Sequence, residues 1–75
     1  MNILLKSQLF EADDNILLKI TSEDGEISPS IIEKQDLIDG IYVSIPDNST
    51  YIRITSSGSI KKSVVIKVSE DCIDI

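Results

Sequence analysis

The stretch that decides the fold is residues 40–69, GIYVSIPDNSTYIRITSSGSIKKSVVIKVS. Apolar side chains alternate with polar ones in three parts of it, namely Ile41, Val43 and Ile45, then Ile52 and Ile54, then Ile60, Val64, Ile66 and Val68, with Lys62 and Val65 as exceptions. Successive side chains of a strand point to opposite faces, so this alternation is typical of strands with one buried face. Residues 46–49 and 56–59 consist of proline, glycine, serine, aspartate and asparagine, which are typical of tight turns. The stretch therefore predicts a three-stranded antiparallel meander.

The residues before this stretch predict a hairpin and a crossover. Residues 2–10 and 15–21 are rich in apolar side chains and flank a polar segment at 11–14, so we expect a hairpin over residues 1–21. Residues 27–39 are ambiguous: Ser28-Pro29 suits the start of one helical turn near 28–35, and an irregular edge strand is the equal alternative, since proline disfavours a central strand. We interpret 27–39 as a crossover between sheets, and 70–75 as an acidic tail.

The whole chain, residues 1–75, is expected to form a single β domain, because 75 residues cannot enclose a second core. The predicted fold is all-β: a small antiparallel β-sandwich of the immunoglobulin-like kind, or an open barrel, with five to six short strands. Cys72 is the one cysteine and there is no histidine, so neither an internal disulfide nor a Cys/His zinc site can form. Self-association is the remaining common way to stabilise so small a core.

Catalytic chemistry is not expected. Histidine, the usual general base, is absent, and no serine-nucleophile motif occurs. Cys72 lies among acidic residues, without the basic neighbour that activates a thiol. The acidic residues near two turns, Glu11, Asp13, Asp14, Glu23, Asp24 and Glu26, offer oxygen atoms to calcium, but their spacing matches no EF-hand loop. We predict no enzyme activity, no cofactor and no assigned metal site.

The charge is uneven along the chain. The net charge is −6, composed of −6 over residues 1–39, +3 over 40–69 and −3 over 70–75. An acidic protein is a poor match for nucleic acid or an anionic membrane, so we expect no direct nucleic-acid binding. The sequence contains no basic leader with an apolar run and no membrane-length apolar stretch. We therefore expect a soluble chain, cytoplasmic or virion-associated rather than secreted.

The polar face of the predicted meander is the candidate binding surface. Strand parity puts five side chains opposite the core residues, namely Tyr42, Tyr51, Arg53, Lys61 and Lys67. Aromatic rings interleaved with cations bind proteins, sugars or single-stranded nucleic acid by stacking and cation–π contact. The alternative is ordinary cross-strand pairing on a solvated sheet.

The run Ile45-Pro46-Asp47-Asn48-Ser49-Thr50-Tyr51-Ile52-Arg53-Ile54-Thr55 resembles a phrase of bacteriophage tail and baseplate modules and of carbohydrate-binding β-sandwiches. The segment Asp39-Gly40-Ile41-Tyr42, with Arg53-Ile54-Thr55 and Lys61-Lys62, also resembles bacterial secretion-sorting sandwiches. The first resemblance implies a β-sandwich accessory module and transfers no binding residue.

The function expected from the sequence is that of a non-catalytic protein-interaction or structural module, of a virion or cell-surface accessory type. It would act on a protein partner through a sheet face, or by self-association as an oligomer. One alternative is a small acidic inhibitor that occupies the basic nucleic-acid-binding site of a target protein. Another is a sugar- or calcium-binding β module, for which a glycan is a possible partner.

Overall fold

The computed structural model describes residues 1–12, 17–56 and 62–75. Within these residues the chain forms seven strands and one short helix. The elements are β1 (Asn2–Lys6), β2 (Leu17–Thr21), β3 (Ile31–Glu33), α1 (Lys34–Asp39), β4 (Ile41–Ser44), β5 (Tyr51–Ser56), β6 (Ser63–Lys67) and β7 (Cys72–Asp74).

The strands form two sheets. The three-stranded sheet has the order β4-β1-β7, and the four-stranded sheet has the order β3-β2-β5-β6. Neither sheet closes into a barrel within the described residues. The predicted all-β sandwich is therefore confirmed. It is not purely antiparallel, because β7 pairs parallel to β1.

Both sheets contribute to one core. The buried apolar side chains are Ile3, Leu5, Phe10, Leu18, Ile20, Ile27, Ile32, Leu37, Val43, Ile45, Ile52, Ile54, Ile66 and Ile73. Most are isoleucine, leucine or valine, whose branched side chains pack well on a pleated surface. The alternation found in the sequence is the alternation of buried and exposed side chains along each strand.

The predicted hairpin over residues 1–21 is wrong, because β1 and β2 belong to different sheets. The first strand ends at Lys6, and the chain then turns: the Ser7 hydroxyl accepts the Leu9 N–H at 3.0 Å, and the Gln8 carbonyl accepts the Glu11 N–H at 3.1 Å. Phe10 is consequently a core residue of a turn, 1% exposed, and not a strand residue. Both sides of β1 are taken by β4 and β7, which leaves no edge for β2.

The predicted three-stranded meander over residues 40–69 is wrong at its first strand. The hairpin of β5 and β6 is present, with Arg53 opposite Val65, but β4 pairs with β1 in the other sheet. Residues 45–50 carry the chain from one sheet to the other, with Ile45 and Ser49 buried on the way. Pro46 thus lies in a crossing between sheets and not in a hairpin turn.

The N-terminal ammonium of Met1 contacts this crossing. It donates to the Ile45 carbonyl at 2.6 Å and to Oδ1 of Asp47 at 2.7 Å. The hydrogen bond and the positive charge lower the pKa of the Asp47 carboxyl from its ordinary value of 3.8. The crossing is therefore connected to the start of β1 by a charged contact.

Residues 27–39 do cross between the sheets, but the expected helical turn near 28–35 lies later. Ile31–Glu33 form β3, which pairs with β2, and the helix is Lys34–Asp39. The carboxylate of Asp36 accepts the Glu33 N–H at 3.1 Å, a contact typical of a helix start. Ser28-Pro29, joined by a cis peptide bond, precedes β3 and does not begin the helix.

The number of strands exceeds the predicted five to six because two strands are only three residues long, β3 and β7. The expected acidic tail at 70–75 contains β7, where buried Ile73 lies between exposed Cys72 and Asp74. One buried residue gives too little alternation to predict a strand from sequence.

Candidate interaction surface

The structure divides the predicted surface residues that it describes between two sheets. Tyr51, Arg53 and Lys67 lie on the four-stranded sheet, whereas Tyr42 lies on β4 of the three-stranded sheet, next to Leu4. Lys61 lies outside the described residues. The single face expected from the meander is therefore wrong, because the chain crosses between sheets after β4.

Three of the five residues do share one face. The four-strand face is defined here by the exposed or half-exposed side chains on the core-distal side of the four-stranded sheet: Leu17, Lys19, Thr21, Ile31, Glu33, Tyr51, Arg53, Thr55, Ser63, Val65 and Lys67. Cross-strand register fixes their order. Tyr51 is opposite Lys67, and Arg53 lies between Thr21 and Val65.

The four-strand face exposes much apolar surface. Its large apolar side chains are Leu17 (50% exposed), Ile31 (56%), Tyr51 (53%) and Val65 (54%). They are four of the eight exposed large apolar residues in the described part of the chain. Single exposed apolar residues are ordinary, whereas a concentration of them on one face is a feature of many interaction surfaces.

Sequence reasoning missed three of these apolar residues, although each has a signal in the sequence. Val65 breaks the alternation of its strand, and this exception is an apolar side chain on the exposed face. Of the adjacent Ile31 and Ile32, one must face solvent if the segment is a strand, and Ile31 does. Leu17 precedes Leu18, and a strand with Leu18 and Ile20 facing inward puts Leu17 on the exposed face.

The charge of the four-strand face is opposite to that of the molecule. It carries the cations Lys19, Arg53 and Lys67 and the single carboxylate Glu33, while the whole chain has a net charge of −6. Arg53 forms no ion pair with any carboxylate of residues 1–12, 17–56 or 62–75. Its charge is therefore available to a partner.

An open groove of about 470 Å³ runs along this face beside the turn that follows β2. Tyr51, Arg53 and Val65 of the sheet line it together with Glu23 and Asp24 of the turn. The turn is held in place by two hydrogen bonds of Ser22, whose hydroxyl accepts the Asp24 N–H at 3.2 Å and bonds the Ser49 hydroxyl at 3.1 Å. The groove thus presents an aromatic ring, a cation and two carboxylates.

The three-strand face is different in composition. It is defined by Asn2, Leu4, Lys6, Tyr42, Ser44, Cys72 and Asp74, on the core-distal side of the three-stranded sheet. Tyr42, 69% exposed, is its one large exposed apolar side chain, since Leu4 is half-buried between Tyr42 and Cys72. Cys72 is an exposed thiol.

Among residues 1–12, 17–56 and 62–75, no three acidic or cysteine side chains converge on a point where a metal ion could bind. Asp13 and Asp14, two of the candidate calcium ligands, lie outside the described residues. No helix in the described part of the chain is long and apolar enough to cross a membrane.

Comparison of the chain with protein-family models, with curated protein sequences and with solved structures found no match.

Proposed function

We propose that the chain is a non-catalytic protein-interaction module that binds an acidic surface of a partner protein through the four-strand face. The observation that carries the proposal is the coincidence, on one face, of four exposed apolar side chains with three cations in a protein of net charge −6. Apolar contacts supply affinity, and the cations select the sign of the partner's charge.

Tyr51 and Arg53 are the expected centre of the interface. Tyrosine and arginine are enriched among the residues whose removal costs most binding energy, and such residues lie near the middle of an interface. Both side chains project from β5, which has β2 on one side and β6 on the other. Lys67 lies opposite Tyr51, whereas Lys19 lies farther from the centre, where a charge mainly accelerates association.

The area of a typical interface indicates how much of this small chain a partner covers. A specific interface buries about 800 Å² on each partner, which is roughly one sixth of the 4775 Å² accessible surface of this chain. We therefore expect the partner to cover the four-strand face and to leave the two carboxylates of the adjoining turn, Glu23 and Asp24, in solvent.

The test compares two tyrosines, because one lies on each sheet. Tyr51→Ala and its matched control Tyr42→Ala each remove one exposed ring from a strand. The tagged wild-type chain, each variant and Arg53→Ala are used to capture proteins from a lysate of the source organism. We expect a captured protein whose affinity falls at least tenfold, about 1.4 kcal/mol, with Tyr51→Ala and Arg53→Ala and is unchanged with Tyr42→Ala.

Salt provides the second measurement on the captured protein. Because exposed charges are screened over about 8 Å at physiological ionic strength, raising the salt concentration should weaken binding by the wild-type chain more than binding by Arg53→Ala. Equal binding by all three variants contradicts the proposal. Loss of binding with Asp36→Asn/Asp39→Asn, with Tyr51→Ala unaffected, would instead favour the acidic-inhibitor alternative.

A glycan is the second candidate ligand, supported by the groove between Tyr51, Arg53 and the carboxylates of Glu23 and Asp24. An aromatic ring can stack on a sugar ring, and planar polar side chains bond its hydroxyls. A glycan present at 100 times its Kd should stabilise the chain by about 2.7 kcal/mol. The absence of a thermal shift across a broad glycan panel would remove this candidate.

A further inference from the structure

The four edge strands of the two sheets differ in how their outer backbone groups are satisfied. On β4, Ser44 exchanges both backbone hydrogen bonds with Ser28, at 3.0 and 2.8 Å. On β3, which is three residues long, Asp36 accepts the Glu33 N–H. β7 is also only three residues long. Short or covered edges are among the means by which proteins prevent pairing with another chain.

The fourth edge strand, β6, is the longest of them at five residues, with the sequence Ser-Val-Val-Ile-Lys. The ladder fixes which of its backbone groups face β5, because the Val68 N–H donates to the Thr50 carbonyl and the Ser56 N–H to the Lys62 carbonyl, both at 2.8 Å. Bonded pairs alternate in an antiparallel ladder, so Val64 and Ile66 also face β5. The backbone N–H and C=O groups of Ser63, Val65 and Lys67 therefore point away from the sheet.

No strand of the described residues pairs with that side of β6. We propose that β6 pairs antiparallel with β6 of a second copy of this chain, about a two-fold axis at Val65. The two four-stranded sheets would then form one eight-stranded sheet. The inference goes beyond the function proposed above and does not depend on the acidic partner.

The register follows from the strand itself. With the axis at Val65, Val65 lies opposite its symmetry mate, and Lys67 lies opposite Ser63 of the second copy, so no two lysines face each other. All three outward-facing residues of β6 then pair with residues of the second β6. If the register is shifted by two residues, only two of the three do. An edge whose backbone groups match a second copy in spacing, with no like charges directly opposite each other, fits a second copy of itself.

The pairing would also bury apolar surface. Val65 is 54% exposed, and Val64 and Val68 are half-buried beside the core. A strand added along β6 would cover all three. A domain with a single cysteine and a small core gains stability from such association.

The first experiment measures molar mass by light scattering on a size-exclusion column, at low and moderate salt and at several concentrations. The wild-type chain should approach twice its 8.3 kDa mass as concentration rises. Val65→Glu should stay at 8.3 kDa, because two carboxylates would meet at the axis, while within one chain the new side chain lies opposite Arg53. Val65→Lys should also be monomeric, and an equimolar mixture of the two variants should dimerise.

The second experiment tests the register by disulfide trapping in a Cys72→Ser background. The Cα atoms of a bonded antiparallel pair are about 5.5 Å apart, a separation that a disulfide spans. Val65→Cys should therefore crosslink with itself, and Ser63→Cys should crosslink with Lys67→Cys more readily than with itself. A wild-type chain that remains at 8.3 kDa at all concentrations overturns the proposal. So does a dimer that persists in Val65→Glu, with circular dichroism confirming that the variant is folded.

Discussion

Gly40 separates α1 from β4 and has a backbone conformation that few other residues adopt. Its φ is 99°, and its N–H donates to the Asp36 carbonyl at 3.0 Å, which ends the helix. A Cβ built at Gly40 would come no closer than 3.6 Å to Leu4, so space is not the restriction. The restriction is the positive φ itself, which costs about 1–3 kcal/mol for a residue with a side chain.

Gly40→Ala is therefore expected to lower the free energy of unfolding by about 1–3 kcal/mol, measured by urea denaturation. Asp39→Ala, at the neighbouring exposed position, is the control and should change it by about 0.5 kcal/mol or less. Equal stability of Gly40→Ala and wild type would mean that residue 40 does not have a positive φ in the folded chain.

Asp47 gives a prediction on pH. Because the Met1 ammonium lowers the pKa of Asp47 below 3.8, the folded carboxyl keeps its charge to lower pH than the unfolded one. Its contribution to stability is therefore complete at neutral pH, and is lost as pH falls from 3.8 through the lowered pKa. The effect is small, since the side chain of Asp47 is 91% exposed.

The measurement is the melting temperature of wild type and Asp47→Asn as a function of pH. Wild type should be the more stable at neutral pH, and the difference should vanish in strong acid. A chain acetylated at its N-terminus has no ammonium, so in that background the substitution should have no pH-dependent effect. A difference that grows as pH falls would contradict the assignment.

The helix α1 is held on the sandwich by one buried side chain, that of Leu37, which is 0% exposed. Its carbonyl also accepts the Ser7 N–H at 3.0 Å, which connects the helix to the end of β1. A helix of six residues has no stability of its own in water, so its position depends on this packing.

Leu37→Ala should therefore lower the free energy of unfolding severely. Truncating a buried leucine costs about 2–5 kcal/mol, comparable with the ~3–5 kcal/mol that a core of this size supplies. We expect a largely unfolded chain at 37 °C, observed by circular dichroism, while Gln35→Ala on the exposed side of the helix leaves the spectrum unchanged. A folded Leu37→Ala chain with unaltered melting would show that the helix does not stabilise the domain.

The strands differ in how much of their structure could be predicted from sequence. Alternation identified β4, β5 and β6, because it reports which side chains of a strand are buried. It does not report which strand lies alongside, so β4 was joined to β5 when its partner is β1, far earlier in the chain. β3 and β7 each bury one residue, too few to show a period.

Prediction of the candidate site was limited in the same way, because the sequence does not show which strands lie side by side. Tyr51, Arg53 and Lys67 were placed on one face correctly, because the hairpin of β5 and β6 is local in sequence. Tyr42 was misplaced together with its strand. Lys19 and Ile31 join the four-strand face only through pairing between β2, β3 and β5, which neither residue indicates by itself.

At the scale of the whole molecule, the two sheets face solvent with different surfaces. One carries four exposed apolar side chains and three cations, and the other a single large exposed ring. The outer edge of β6, with which no strand of the described residues pairs, borders the first of these surfaces. Pairing two copies there would place two four-strand faces side by side, so a bivalent partner would bind the dimer more tightly than a monomer.

Site-specific photo-crosslinking is the measurement that shows whether a partner binds through the four-strand face. A photoreactive phenylalanine derivative is placed at Tyr51 in one chain and at Tyr42 in another, so that the same group is presented on each sheet. After illumination with the captured partner, we expect a covalent complex from position 51 and little or none from position 42. Crosslinking from position 42 alone would show that the partner binds the three-strand face instead.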